Sequence, residues 1–160
     1  MQMDKTYYNS PVGWLEITGN NLGITSIMYS NEPPENIGEI PGCLAPCIQQ
    51  LQEYFAGARK AFSLTLRPKG TDFQLKVWEE LRNIPFGTTI SYQSLAKNLG
   101  TEKLTRAVGA ANGKNPLNIV VPCHRVIGSS GQLVGYGGGL WRKEWLLKHE
   151  KQNVSEGLFL

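Results

Sequence analysis

The chain has 160 residues, of which 41% are hydrophobic and 18% charged, a composition typical of a globular protein with one domain or two small ones. It contains no apolar run of about eighteen residues, and its first residues lack the basic and apolar regions of a secretory signal, so we expect neither a membrane span nor export. Three cysteines in such a chain favour free thiols in a reducing compartment, and we expect a cytoplasmic protein.

The net charge of +3 is unevenly distributed along the chain. Residues 1–72 carry five Lys and Arg against seven Asp and Glu, whereas residues 73–150 carry ten against five. A basic second half favours a polyanionic partner such as a nucleic acid. A solvated, lysine-rich surface would produce the same balance, so charge alone leaves both interpretations open.

The first 70 residues predict a small β-rich region with one helix. Short apolar runs in residues 6–30, separated by Gly and Asn turn signals, favour an antiparallel hairpin or meander. Three prolines and two glycines make residues 31–42 a loop. The apolar spacing in residues 46–57 predicts a helix, and the alternation in residues 61–67 predicts one further strand.

From residue 71 onward, the spacing of apolar residues is that of helices rather than strands. Thr71 and Asp72 can cap a helix that ends before Pro85. Two shorter helices, over residues 92–99 and from Thr101 onward, are joined through a glycine. This is the pattern of a helix-turn-helix whose second helix would contact nucleic acid. Many helical pairs in enzymes have the same sequence pattern and bind no DNA, so this pattern by itself is weak evidence for DNA binding.

Two more elements complete the predicted domain. Residues 132–136 follow a glycine- and serine-containing turn and could supply a hairpin or wing. A final helix is predicted over residues 140–150. Its expected buried side is apolar and consists of Leu140, Trp141, Trp145, Leu146 and Leu147.

The candidate nucleophile lies in the stretch NIVVPCHRVIGSSGQLVGYGGG, which runs from Asn118 to Gly139. Cys123 and His124 follow a short apolar run that ends at Pro122. A neighbouring base or positive charge makes a thiol nucleophilic by favouring its thiolate. Successive side chains of a straight strand point to opposite faces, so His124 needs a turn after Pro122 to act on Cys123.

A carboxylate behind the imidazole would fix the tautomer of His124, and Glu144 and Glu150 are the candidates. A structural zinc site is the weaker alternative for the cysteines. Cys43 and Cys47 have no nearby second pair, and a zinc site needs four closely specified ligands. We therefore expect no metal and regard those two thiols as packing residues.

Several spaced segments together resemble one family. FQLKVWEELRNIPFGTTISYQSLA, RAVGAANGKNPLNIVVPCHRV, GYGGG and KEWLLKHE are similar, without gaps, to the catalytic domain of O6-alkylguanine-DNA alkyltransferases, also called methylated-DNA–protein-cysteine methyltransferases. Residues 1–70 match only loosely. The resemblance implies an α/β (α+β) fold: a β-sheet-plus-helix, ribonuclease H-like domain in residues 1–70 packed on a mainly helical, winged helix-turn-helix-like catalytic domain in residues 71–150. Residues 151–160 would form a tail.

The resemblance also implies a reaction. The protein would reverse damage in double-stranded DNA directly, by moving the alkyl group of a flipped O6-alkylguanine to Cys123 in one irreversible, stoichiometric step. O4-alkylthymine could enter the same pocket. Such a protein acts as a monomer and needs no metal or cofactor. Two alternatives remain: a non-catalytic sensor of alkylated DNA, and a cysteine hydrolase.

Catalytic roles carry over residue by residue from the family. Cys123 stands at the alkyl acceptor, His124 at the base that acts on the thiol through a water, and Glu150 at the carboxylate behind it. Asn115 matches the residue that braces the turn carrying the cysteine. Tyr92 matches the tyrosine that donates to the purine ring.

The remaining positions concern the base and the DNA. Tyr136 would line the guanine pocket, the Gly137 amide would reach O6, and the carbonyls of Cys123 and Val126 would accept from the exocyclic amine. Some relatives have serine in place of Gly137, so only the amide can act here. Arg106 would fill the gap left by the extruded base. The other expected DNA-binding residues of the second helix region are Lys103, Gly109, Ala110 and Lys114.

Overall fold

The computed structural model describes residues 2–154, which form two compact units. The first unit runs to Lys69 and also includes Pro116–Asn118. The second comprises Gly70–Asn115 and the chain from Ile119 onward. No helix in residues 2–154 combines the length and the apolar character needed to cross a membrane. The mixed α/β class is confirmed.

The first unit is an antiparallel meander with one helix. Its elements are β1 (Asp4–Ser10), β2 (Gly13–Asn20), β3 (Gly23–Ser30) and α1 (Ala45–Phe55), and the strand order is β1-β2-β3. Leu15 and Ile17 of β2 are fully buried, as is Leu51 of α1. The predicted meander and helix are therefore confirmed.

The strand predicted over residues 61–67 is wrong as a regular element. Only Leu66 forms a bridge, parallel to Ile24 of β3, through backbone hydrogen bonds at Thr65 and Arg67. The alternation in the sequence reflects extended backbone, which sends successive side chains to opposite sides even where a ladder does not continue.

A later part of the chain also pairs with this sheet. Ile27 donates its backbone N–H to the Pro116 carbonyl at 2.8 Å, and the Asn118 Nδ2 donates to the Ile27 carbonyl at 3.0 Å. Leu117 forms a parallel bridge with Ile27. A contact of a single residue pair has no periodic pattern, so the sequence contains no sign of it.

The second unit is mainly helical. Its elements are α2 (Asp72–Leu81), β4 (Ile90–Ser91), α3 (Tyr92–Asn98), α4 (Thr105–Gly113), β5 (Val126–Ile127) and α5 (Leu140–Asn153). Thr71 caps α2 in a reciprocal capping box with Gln74. The Trp78 indole N–H donates to the Ala111 carbonyl at 2.8 Å, which fixes α2 against α4.

The predicted helix-turn-helix corresponds to α3 and α4, which pack against each other. Gly100, with φ of 73°, separates them. The helix expected from Thr101 is interrupted, because Glu102–Leu104 form a short 3-10 helix before α4 begins. Leu104 is 47% exposed, so the buried face of this region starts at Val108 rather than one turn earlier.

The hairpin or wing predicted over residues 132–136 is wrong. Residues 128–139, the glycine-rich loop, contain no strand. Gly131, Gly135 and Gly139 each have positive φ, which turns the backbone repeatedly and prevents an extended hairpin. The short strand near this loop is β5, which pairs in parallel with β4.

The buried side of α5 also differs from the prediction. Leu140 and Trp141 are 49% and 54% exposed, whereas Lys143 and Glu150 are fully buried beside Leu146. The polar residues are inside because each has partners there, as described below. The helix extends to Asn153, so the predicted tail begins later than residue 151, and residues 155–160 lie outside the described part of the chain.

Candidate active site

Cys123 lies in a tight backbone turn. Pro122 has φ of −82° and ψ of 63°, and the Cys123 N–H donates to the Val121 carbonyl at 2.8 Å, which together make an inverse γ-turn. Cys123–Arg125 continue as one 3-10 turn. The turn expected after Pro122 is therefore present, and Cys123 and His124 do not lie on a straight strand.

Two features hold this turn in place. The Asn115 Nδ2 donates to the Val121 carbonyl at 2.8 Å, and Asn115 is itself buried. Upstream, Ile119 has φ of 74°. A β-branched residue rarely adopts that conformation, which costs on the order of 1–3 kcal/mol and persists only where its surroundings impose it. The conformation of Ile119 therefore destabilises the folded state, but it sets the path of the backbone that leads to Cys123.

His124 and Glu150 form a buried pair. Their Nε2 and Oε2 atoms are 2.6 Å apart, and both side chains are fully buried. Arg125 completes the group, because its Nε and one Nη donate to the two Glu150 oxygens at 2.8 and 3.1 Å. Burial alone would raise the pKa of Glu150, but His124 and Arg125 outweigh it and hold that pKa well below its usual value. Glu144, the other candidate carboxylate, is exposed.

The arrangement fixes the tautomer of His124. An ionised Glu150 can only accept, so Nε2 carries the hydrogen and Nδ1 keeps its lone pair. Nδ1 is buried and has no hydrogen-bond partner within the described residues. Burial lowers the pKa of His124 despite the opposing effect of Glu150. Neutral His124 is therefore able to accept a proton at Nδ1 near pH 7.

Cys123 is a thiol in the resting protein. It is 4% exposed, and burial raises its pKa to about 11, although Asn115 and the Lys143 charge act in the opposite direction. A thiol of that pKa is almost fully protonated at pH 7. Reaction of its sulfur as a nucleophile therefore requires a base, and His124 is adjacent to it.

Lys143 connects two backbone segments of the site. Its side chain is fully buried, and Nζ donates to the Val126 carbonyl at 2.6 Å and to the Val134 carbonyl at 2.9 Å. One segment follows the cysteine turn, and the other belongs to the glycine-rich loop. The ammonium group thus ties that loop to the turn and places a positive charge near Cys123.

The predicted base-binding residues lie on α3, on β5 and in the glycine-rich loop. The Tyr92 hydroxyl donates to the Val134 carbonyl at 3.1 Å, and its ring lies over Gly109, where an added Cβ would be 3.6 Å away. Tyr136 and Gly137 lie in the glycine-rich loop, and a Cβ at Gly137 would contact only the Gly113 carbonyl, at 3.9 Å. The fully buried Val126 begins β5.

Four of the five predicted DNA-binding residues share one exposed face, whereas Gly109 is half-buried against the Tyr92 ring. Lys103, Arg106, Ala110 and Lys114 are all exposed, and their spacing of three or four residues places them along one side of the 3-10 helix and α4. The opposite side of α4 is buried at Val108. Lys103, Arg106 and Lys114 therefore place three positive charges along this face, which is called the basic strip below.

The other two cysteines lie in the first unit and take no part in this site. The Cys43 thiol donates to Asp4 Oδ2 at 3.2 Å, and burial raises the pKa of Cys47 to about 12. Within residues 2–154 no three His, Cys, Asp or Glu side chains form a group that could hold a metal ion.

Sequence reasoning missed Arg125, Lys143 and Asn112. Lys143 and Glu150 are seven residues apart with Leu146 between them, a spacing that puts all three on one helix face. Polar residues that share a face with a buried leucine are a detectable sign of a buried network. The contacts of Arg125 with Glu150, and of Asn112 with the Cys123 carbonyl, depend on tertiary structure.

Comparison with known proteins gives consistent results for both units. A family profile described as 6-O-methylguanine DNA methyltransferase, DNA binding domain, matches residues 72–152, and the ribonuclease-like domain of the same proteins matches residues 3–68. A methylated-DNA–protein-cysteine methyltransferase of Mycobacterium leprae is 45% identical over 156 residues, which is 95% of this chain and 94% of that protein.

Solved structures agree. The crystal structure of the O6-methylguanine methyltransferase of Mycobacterium tuberculosis superposes with a TM-score of 0.88 at 41% identity, covering 99% of this chain and 98% of that one. The structure of Mycobacterium tuberculosis OGT in complex with DNA gives a TM-score of 0.85 at 43% identity, with 93% of each chain covered. The chain therefore belongs to the 6-O-methylguanine DNA methyltransferase family.

Proposed function

We propose that this protein repairs double-stranded DNA by transferring the alkyl group of O6-alkylguanine to Cys123. As a family member it is a DNA-repair methyltransferase whose acceptor is a cysteine. One observation carries the assignment to Cys123: of the three cysteines, it alone adjoins the buried His124–Glu150 pair. That pair supplies the base that a thiol of pKa about 11 requires.

The reaction is a single displacement. His124 Nδ1 takes the thiol proton, through a bridging water, and the sulfur attacks the alkyl carbon. The sulfur–carbon bond forms as the carbon–O6 bond breaks, and the electron pair leaves with guanine. The Tyr92 hydroxyl, which turns from the Val134 carbonyl to the base, and the Gly137 amide donate to the departing base and stabilise it. The product is a thioether, which thiol exchange does not reverse, so each molecule reacts once.

Access to O6 requires the base to leave the duplex, at a cost of about a few kcal/mol. The exposed strip on the 3-10 helix and α4 would contact DNA, with Lys103 and Lys114 on phosphates and the small Ala110 allowing close approach. Gly109 is half-buried, and its lack of a side chain leaves room for the Tyr92 ring. Arg106 would occupy the vacated stack. Because phosphate contacts carry no sequence information, such binding tolerates lesions in any sequence.

Arg106→Ala is expected to slow repair in duplex DNA by about 100-fold while changing the reaction with free O6-methylguanine base by less than about twofold, since the free base needs no flipping. Rates of Cys123 methylation on the two substrates would be compared. Lys103→Ala is the matched control, because it removes a charge from the same strip. Equal slowing on both substrates would show that Arg106 does not act in flipping.

Mass spectrometry tests the proposed function itself. After mixing with a duplex containing O6-methylguanine, we expect one methyl group per protein, located on the peptide that holds Cys123. Methyl transfer without further turnover separates this protein from a cysteine hydrolase. Selective binding of the damaged duplex with no mass change would instead indicate a sensor.

Three finer points belong to the same proposal. All members of the site come from one chain, which supports action as a monomer. The three free thiols support a cytoplasmic location. We expect O4-alkylthymine to be able to enter the same pocket, because it too presents an alkyl group on an exocyclic oxygen.

A further inference from the structure

The Glu150 carboxylate accepts four hydrogen bonds, and Arg125 supplies two of them. Oε2 accepts from His124 Nε2 and from one Arg125 Nη. Oε1 accepts from Arg125 Nε and from the Gly87 backbone N–H, the latter at 3.2 Å. A carboxylate offers about four acceptor positions, and these bonds occupy them. Because the guanidinium is a planar fork, its two parallel bonds fix the plane of the carboxylate and so the direction in which Oε2 faces the imidazole.

Arg125 is itself held by the segment that follows α2. Its second Nη donates to the Ile84 carbonyl at 2.6 Å, and its guanidinium carbon lies 5.8 Å from the centre of the buried Phe86 ring. A buried guanidinium with partners on both sides has little freedom to turn. The position of Glu150 beside His124 therefore depends on residues 84–87 as well as on α5.

The charges of this buried group balance when His124 is neutral. One carboxylate and one guanidinium then face each other, whereas a proton on the imidazole would leave a net positive charge in the interior. Without Arg125 the balance reverses, because the pair of Glu150 and His124 becomes neutral only by taking up a proton. A net charge is costly to bury, so Arg125 favours the neutral imidazole that the proposed reaction needs.

The other charged group that acts on His124 does not contact the carboxylate in this way. Burial lowers the pKa of His124, Glu150 opposes that effect, and Arg125 and Lys143 act in the same direction as burial. Lys143, on α5, donates to the Val126 and Val134 carbonyls. Two further groups of the site are neutral near pH 7, because burial raises the pKa of each: the Cys123 thiol and the Tyr92 hydroxyl of α3.

We propose that Arg125 is a positioning residue, which aligns Glu150 with His124 and sets the pH below which alkyl transfer fails. The inference rests on the proposed function. A purely structural ion pair would stabilise the fold but would leave the pH dependence of the reaction unchanged, so the two roles can be separated by experiment.

The experiment measures the rate of Cys123 methylation by a duplex containing O6-methylguanine from pH 5 to pH 9. Arg125→Gln removes the charge, so the pH at which the rate falls should rise by about one unit or more. Arg125→Lys keeps the charge, and that pH should stay within about 0.3 units of the value for the unmodified protein. Neither side chain forms the fork, so the maximal rate of both variants should drop by about tenfold.

Arg59→Met is the matched control, because Arg59 Nε also donates to a glutamate oxygen, Glu53 Oε1, at 2.7 Å, but within the first unit. It should change neither the maximal rate nor the pH at which the rate falls. Circular dichroism over the same pH range shows whether each variant is folded. Should Arg125→Gln fail to fold, Arg125→Lys decides, and a maximal rate within about twofold of the unmodified protein would refute the alignment role.

Two results would overturn the inference while the proposed function stands. One is a folded Arg125→Gln whose rate falls at the same pH as that of the unmodified protein. The other is an upward shift in Arg125→Lys as large as that in Arg125→Gln. Absence of Cys123 methylation in the unmodified protein at every pH would remove the proposed function and the inference with it.

Discussion

Cys123→Ala is expected to abolish alkyl transfer while leaving DNA binding within about threefold of the unmodified protein, because phosphate contacts elsewhere dominate affinity. Methyl transfer would be followed by the mass of the protein, and binding by fluorescence anisotropy of a labelled duplex at fixed salt. The change removes the only thiol that adjoins the His124–Glu150 pair. No other described residue near that pair can form a stable thioether.

Cys43→Ala is the matched control. Cys43 is the more exposed of the other two thiols, and its sulfur faces Asp4 rather than a base. This variant should transfer the methyl group at the unmodified rate. Methyl transfer that persists in Cys123→Ala, or that disappears in Cys43→Ala, would move the acceptor away from Cys123. Loss of DNA binding in Cys123→Ala would show that the cysteine turn itself supports the DNA-binding surface.

The chemistry of the site could be predicted from sequence because its residues lie in recognisable local patterns. Cys123 and His124 are adjacent after a proline, and a turn at that point follows from the need to bring both side chains to one site. The carboxylate behind His124 could be narrowed to two candidates, Glu144 and Glu150. The structure distinguishes them by burial, since Glu144 is exposed and Glu150 is fully buried.

What sequence reasoning missed follows from tertiary pairing. The apolar pattern of α5 predicted that Leu140 and Trp141 would be buried, whereas the interior is occupied by Lys143 and Glu150. Apolar periodicity assumes that charged groups stay in water, and it fails where each charge has buried partners. The wing over residues 132–136 failed for a different reason: the turn signal before it suggested a hairpin, but positive φ at the glycines bends the backbone that follows.

These failures lie at the site itself. The hydrogen-bonded group of Arg125, Glu150 and His124, together with Lys143, places charges in an interior. Ile119, which precedes the cysteine turn, has a rare backbone conformation. Local rules of sequence and structure are most often broken where function requires it. The parts that followed the rules, such as the capping box of α2 and the meander, take no part in the site.

Glu150→Gln is expected to lower the rate of alkyl transfer near pH 7 by about 100-fold, the usual contribution of a positioned general base. Glu150 raises the pKa of His124 against the effects of burial and Arg125. Without the carboxylate, Arg125 stays charged and loses its partner, so His124 becomes a weaker base. The rate of Cys123 methylation would be measured from pH 5 to pH 9, an interval chosen around the ordinary histidine pKa of about 6.5.

The sign of the pH effect distinguishes this role from a structural one. Reaction requires neutral His124, and burial lowers its pKa, so the rate of the unmodified protein should fall only below the ordinary histidine value. In Glu150→Gln that fall should shift to still lower pH, while the plateau above it is reduced. Glu144→Gln, an exposed change on the same helix, should alter neither. If the substitution lowers the maximal rate but leaves unchanged the pH at which the rate falls, Glu150 only supports the fold. If that pH rises instead, the carboxylate does not stabilise the protonated imidazole.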